Sequence, residues 1–197
     1  LATKKDLTDD DKNAISQLIQ IAIQEGKASV ALNPTRAGNW ALLANIYRSV
    51  MSFAQGADQF TIQTYSQAVA LDPINPNLRI ALGGIYYALG RYDEAIDAFK
   101  LAVLAKSDLA NAHYNLAAAY REKGDINKAI NEMNIVLTQV AKDSADYNLA
   151  KTELENLEKN RPSSAPSTSL RTTEGQGSLT PPAEAPTQVI KPPLELP

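Results

Sequence analysis

No cysteine occurs anywhere in the 197 residues, so disulfides, thiol catalysis and cysteine-ligated metals are excluded from the outset. Histidine is nearly absent as well. The single His113 has no nucleophile or carboxylate at a motif spacing, so the expectation is a packed structural side chain rather than a catalytic one. Glycine-rich phosphate loops are missing, and no cofactor, metal or catalytic centre is expected. Basic residues are too few and too scattered to coat a phosphate backbone: Lys and Arg number 19 against 22 Asp and Glu, for a formal net charge of −3. Nucleic acid is therefore not an expected partner. No run approaches eighteen apolar residues, and no basic head precedes an apolar stretch, so direct membrane insertion by this chain is not expected either. The chain opens "LATKKDLTDDDK" without an initiator methionine, the pattern of a processed product or an excised fragment. A membrane portion ahead of Leu1, and with it the compartment, stays open.

What is present divides sharply near Asn160. Residues 161–197 hold eight of the eleven prolines, many Ser and Thr, and no aromatic residue, a composition that cannot bury enough apolar area to offset the entropy of ordering. A disordered, partly polyproline tail is expected there, serving as a linker or, through "TPPAEAP" and "KPPLELP", as a stiff segment that docks in a neighbouring groove. Upstream the chain is alanine-rich, with apolar residues three and four apart and no strand alternation, so an all-α domain is predicted. "DLTDDDK" at 6–12 lacks the glycine and bidentate glutamate of a calcium loop and reads as a helix start whose acids suit the dipole.

Self-comparison supplies the organisation. Shifted by 34 residues, Leu82 falls on Leu116, Tyr86 on Tyr120, Gly90 on Gly124, Ala95 on Ala129, Ile96 on Ile130 and Phe99 on Met133. "SVALNP" at 29–34 and "AVALDP" at 68–73 are 39 apart, five more than the period, which assigns an insertion to the stretch around "SVMSFAQGADQF". A fixed period of this kind marks a solenoid. Its units are predicted at 37–75, 76–109 and 110–143, preceded by a half repeat in residues 1–36 and closed by a capping helix at 144–160. In that last helix Leu149, Leu154 and Leu157 are expected to face the stack, with Ser144 and Asp146 at its start. Asn75 followed by Pro76 predicts a helix start, and Gly90 and Gly124 predict stops.

These positions resemble the tetratricopeptide repeat, a helix–turn–helix unit written as an aromatic, Leu with a small residue, Tyr, a turn Gly, then Ala, an aromatic, Ala and Pro. Trp40, Leu43, Ala44, Tyr47, Tyr65, Ala68 and Pro73 follow the pattern in the first unit, and Leu82, Gly83, Tyr86, Gly90, Ala95, Phe99 and Ala102 in the second. The third supplies Leu116, Ala117, Tyr120, Gly124 and Ala129, while Arg79, Ser107 and His113 depart from it. The resemblance implies a non-catalytic protein-interaction scaffold holding an extended peptide or a helix in a concave groove. It places on that groove the stripes Ala41, Asn45, Arg48; Ile80, Gly84, Tyr87; and Tyr114, Ala118, Arg121, with Asn77 and Asn115 nearby as further candidates. Two neighbouring glycines in a helix each cost about 1 kcal/mol, so both ask for a reason. Gly83 is expected where two helix backbones approach; Gly84 either opens a shallow pocket between Tyr87 and Tyr114 or is simply tolerated, with Tyr87 filling the gap. The repeats that clamp a chaperone's C-terminal carboxylate use Lys and Asn where this chain has Ala41, Ala81 and Asn111, leaving only Asn45, so a chaperone tail is disfavoured. The arrangement around 33–96 and the Pro-rich ending also look similar to the repeat regions of bacterial O-antigen ligase or polymerase-like membrane proteins, which implies an extracytoplasmic appendage as an alternative.

Overall fold

The computed structural model describes residues 8–161. The expectations for residues 1–7 and for the proline-rich tail lie outside that range. Within the described residues eight helices follow one another: α1 Asp9–Leu32, α2 Ala37–Ser49, α3 Ala57–Leu71, α4 Pro76–Ala88, α5 Tyr92–Ala105, α6 Ala110–Lys123, α7 Ile126–Gln139 and α8 Ala145–Lys159. No strand occurs among the described residues. The tightest pairs are α2 with α3, α4 with α5 and α6 with α7; each pair also packs on the next, α1 and α8 close the ends, and α4 reaches across to α6.

The turns explain why the period reads so clearly in sequence. Gly90 and Gly124, 34 residues apart, both adopt positive φ, at 72° and 86°. Around each, the same two bonds close the helix: Gly90 N–H donates to Tyr87 O and Arg91 N–H to Tyr86 O, as Gly124 donates to Arg121 O and Asp125 to Tyr120 O. This is the Schellman pattern, in which a left-handed residue lets the chain turn back without orphaning the last carbonyls. The starts are equally local. Asn75 Oδ1 accepts from Asn77 N–H at 3.1 Å ahead of Pro76, and Ser144 Oγ accepts from Tyr147 N–H at 3.1 Å. Thr8 and Asp11 form a reciprocal capping box at the head of α1, with Asp9 and Asp10 completing an acidic first turn.

One slot in the repeat has an explanation that residue type conceals. Trp40 Nε1 donates to Pro34 O at 2.7 Å, Arg79 Nε and Nη2 donate to Pro73 O at 2.9 and 2.6 Å, and His113 Nε2 lies 3.0 Å from Ser107 O. An aromatic, a guanidinium and an imidazole thus do one job, an N–H aimed at the carbonyl six residues back. The departures at Arg79, His113 and Ser107 keep the bond while changing its chemistry.

The turns within the helix pairs differ in length. Residues 50–56 join α2 to α3, whereas 89–91 suffice between α4 and α5; Val50 is buried in the connector, and Phe53 stands 65% exposed. Tyr47 and Phe60 stack across its base with centroids 5.4 Å apart.

Two packing expectations, for Gly83 and for the last helix, change in detail. Gly83 is buried, but what approaches it is the Phe99 ring: a Cβ there would lie 2.6 Å from Cε1 and 2.8 Å from Cδ1, so an aromatic face rather than a helix backbone requires the glycine. Gly26 makes the close approach between α1 and α2, its virtual Cβ 2.9 Å from Leu43 Cδ1 and 3.0 Å from Ile46 Cδ1. In α8 the stripe toward the stack is Ala150, Leu154 and Leu157, while Leu149 is 51% exposed on a different face. One core gathers side chains of α5 to α8 around Phe99, Leu116, Tyr120 and Met133; a smaller one joins Ala44, Tyr65 and Ile85.

Candidate functional site

The stripes on the first helices of the repeats meet different fates. Gly84, Tyr87, Tyr114, Asn115 and Arg121 come together around one cavity of about 230 Å³, with Ala117, Ala118 and Met133 beneath and Glu153 and Leu157 contributed by α8. A Cβ on Gly84 would meet nothing within 4 Å, so the space over it is open and Tyr87 does not fill it. Asn45, Arg48, Asn77 and Ile80 stand outside this cavity. Ile80 is half-buried against the larger core, and Asn77 sits exposed in the first turn of α4.

Cavities adjoin this one at both ends. A space of about 310 Å³ shares Tyr114 with it and is bounded by Ala110, Asn111, Val136, Val140, Asp146 and Leu149. Another, of about 360 Å³, shares Arg121, Glu153 and Leu157 and continues past Asn156 to Asn160. Together they make a trough between α6 and α8. On α8 its wall reads Asp146, Leu149, Glu153, Asn156, Asn160, spacings of three and four that keep one helix face. The exposed Leu149 belongs to that wall. From its first to its last member the wall rises about 21 Å, the length of roughly six residues of extended chain.

The trough carries charge in a defined order. Arg121 is held by two carboxylates: Nη2 lies 2.8 Å from Glu122 Oε1 and Nη1 2.9 Å from Glu153 Oε2. Tyr87 Oη donates to the same Glu122 oxygen at 3.3 Å. Burial first, and then the Glu122 charge, hold the Tyr87 hydroxyl above the ordinary phenol value, with Arg121 pulling the other way. Asp146 makes no ion pair among the described residues. The asparagines are half-engaged. Asn115 Nδ2 donates to Asn111 O at 2.6 Å and Oδ1 at 2.8 Å, leaving its own carbonyl; Asn45 Oδ1 accepts from Tyr65 Oη at 2.7 Å, leaving its amide N–H groups.

His113 is buried, only 4% exposed, with Nδ1 2.6 Å from Glu132 Oε2 and Nε2 facing the Ser107 carbonyl. Both ring nitrogens are engaged within the protein. Glu132, nineteen residues on and in α7, is a partner that local spacing could not reveal. No group of three or more metal-ligating side chains occurs among the described residues, nor any helix long and apolar enough to cross a membrane.

Residues 83–124, from the middle of α4 to the turn that closes α6, match the family model described as TPR repeat. The fold is a TPR solenoid. A comparison with curated proteins finds no match. Among solved structures, this TPR solenoid is similar to MamA, at 20% identity and a TM-score of 0.57 over 79% of this chain and 91% of that one. It is similar also to TTC0263, a thermophilic TPR protein of Thermus thermophilus, at 22% identity and a TM-score of 0.59 over 74% and 76% of the two chains. The first TPR of Spaghetti (RPAP3), solved bound to the HSP90 peptide SRMEEVD, aligns at 22% identity and a TM-score of 0.55 over 64% of this chain and 92% of that one. At these identities the likeness is one of fold. None of these matches supports the resemblance to O-antigen ligases and polymerases.

Proposed function

We propose that the chain is a protein-interaction scaffold, not a catalyst, and that the trough between α6 and α8 holds an extended peptide segment of a partner. The observation that carries this is the continuous line of three cavities, open over Gly84 and walled by an exposed leucine, two tyrosines and half-engaged amides. Apolar walls with a few placed polar groups suit a peptide, whose alternate side chains fill hollows while its backbone bonds to amides such as Asn115. The peptide complex of the RPAP3 domain, similar in fold, supports the same use of this architecture.

The reading is tested by selecting random heptapeptides displayed on phage against the whole chain and against Gly84→Trp, whose indole would occupy the space over residue 84. Enrichment on the native chain and its loss on the variant is the expected result. A native chain that enriches nothing, or a variant that selects the same peptides, ends the reading.

A further inference from the structure

We propose that the occupant of this trough is an extended segment carrying a lysine or arginine two positions from an apolar residue, and not an acidic or carboxy-terminal one. The proposal rests on the groove reading above and adds its chemistry. Asp146, Glu153 and one cation line the trough, and the cation is already satisfied: Arg121 is bracketed by Glu122 and Glu153. An incoming carboxylate would have to break those pairs and face the remaining negative charge. A cation meets the opposite situation at Asp146, which has no ionic partner among the described residues.

The two hollows beside Tyr114 differ accordingly. One is apolar at its base, between Val136, Val140 and the exposed Leu149, with Asp146 at its edge. That suits a side chain whose methylene stem lies on hydrocarbon while its charged head reaches an acid, with the Tyr114 ring as an additional face for the cation. The other, over Gly84 and between Tyr87 and Tyr114, has room for a compact apolar group. A single tyrosine separates them, and side chains i and i+2 of an extended strand point the same way about 7 Å apart. The pairing of one basic and one apolar residue at that interval follows from the order of the walls. The acidic peptide SRMEEVD, held by the RPAP3 domain of similar fold, has the opposite charge character.

The heptapeptide selection provides the first readout through its composition. Lys or Arg enriched at two positions from an apolar residue is expected; enrichment of Asp or Glu, or of no charge at all, overturns the proposal while leaving the groove reading intact, and no enrichment overturns both. The leading peptide is then synthesised acetylated and amidated, and its affinity measured by fluorescence anisotropy against the native chain and Asp146→Asn. Replacing the peptide's basic residue by Gln is expected to weaken binding roughly three- to fivefold on the native chain, the range of a partly exposed ion pair, and to have little effect on the variant. An equal loss on both proteins, with helix content unchanged by circular dichroism, places the basic residue elsewhere and overturns the proposal.

Discussion

Two adjacent glycines separate the demands of packing from those of the groove. At Gly83 a methyl would drive into the Phe99 ring, which is 1% exposed and has nowhere to move, so Gly83→Ala is expected to destabilise despite its better helix propensity. At Gly84 the same change meets open space and should stabilise by about 1 kcal/mol, the helix-propensity difference alone. Urea unfolding of the two single variants checks the opposite signs; equal effects would mean that the ring, not the glycine, adapts. His113 offers a second test. Replacing it by Leu takes the partner from the half-buried Glu132 carboxylate, while the Ser107 carbonyl keeps its bond from Gln139 Nε2, so the expected loss is about 1 kcal/mol by the same measurement.

Among the elements, α1 and α8 show how far the sequence could be read. Helix order and both glycine turns were legible because each depends on residues within a few positions of one another, and the 34-residue period because successive repeats set the same residue types at the same turns. The trough was legible by half. Gly84, Tyr87, Tyr114 and Arg121 share the stripe logic of the repeat and Asn115 stands beside it, but Glu153 and Asp146 come from a helix outside the repeat pattern, and Leu149 reads as core until a second face of α8 is known. Arg121 could not be read as satisfied, since Glu153 lies 32 residues away. Asn45 and Arg48 carry the same stripe signature but stand outside that cavity, so periodicity alone could not separate them from the five that meet. At the head of α1, bonds from the Thr8 side chain and then its backbone hold the Asp11 carboxyl below the ordinary carboxylate range. A carboxyl lowered in the folded state binds fewer protons there than in the unfolded one, so its contribution is present above the ordinary value and fades as pH falls through the lowered one. Acid should therefore loosen this cap, and because residues 9–18 are exposed, amide protection relative to intrinsic exchange at the same pH should fall there without a shift in the global unfolding midpoint. Thr8→Ala should reproduce the effect at neutral pH. A lowered global midpoint would show that the start of α1 is coupled to the rest.

At the scale of the molecule, a stack in which each helix pair touches mainly its neighbours has a stability that varies along its length. The larger core joins α5 to α8, with Phe99, Leu116, Tyr120, Met133 and Leu157 in one cluster; the other cluster is smaller, Ala44, Tyr65 and Ile85 with half-buried partners. Protection from hydrogen exchange should follow that asymmetry, slowest in α5 to α7 and faster through α2 and α3. The last helix both walls the trough and covers this core, through Glu153 above and Leu157 below. Leu157→Ala, about 2 to 5 kcal/mol for a buried leucine, is therefore expected to cost protection in α6 and α7 and to weaken peptide binding together, while α2 and α3 keep their native exchange rates. Exchange mass spectrometry on the variant decides it. Loss spread evenly from α2 to α8 would mean that the stack unfolds as one unit, and that the groove draws its rigidity from the whole solenoid and not from its final three helices.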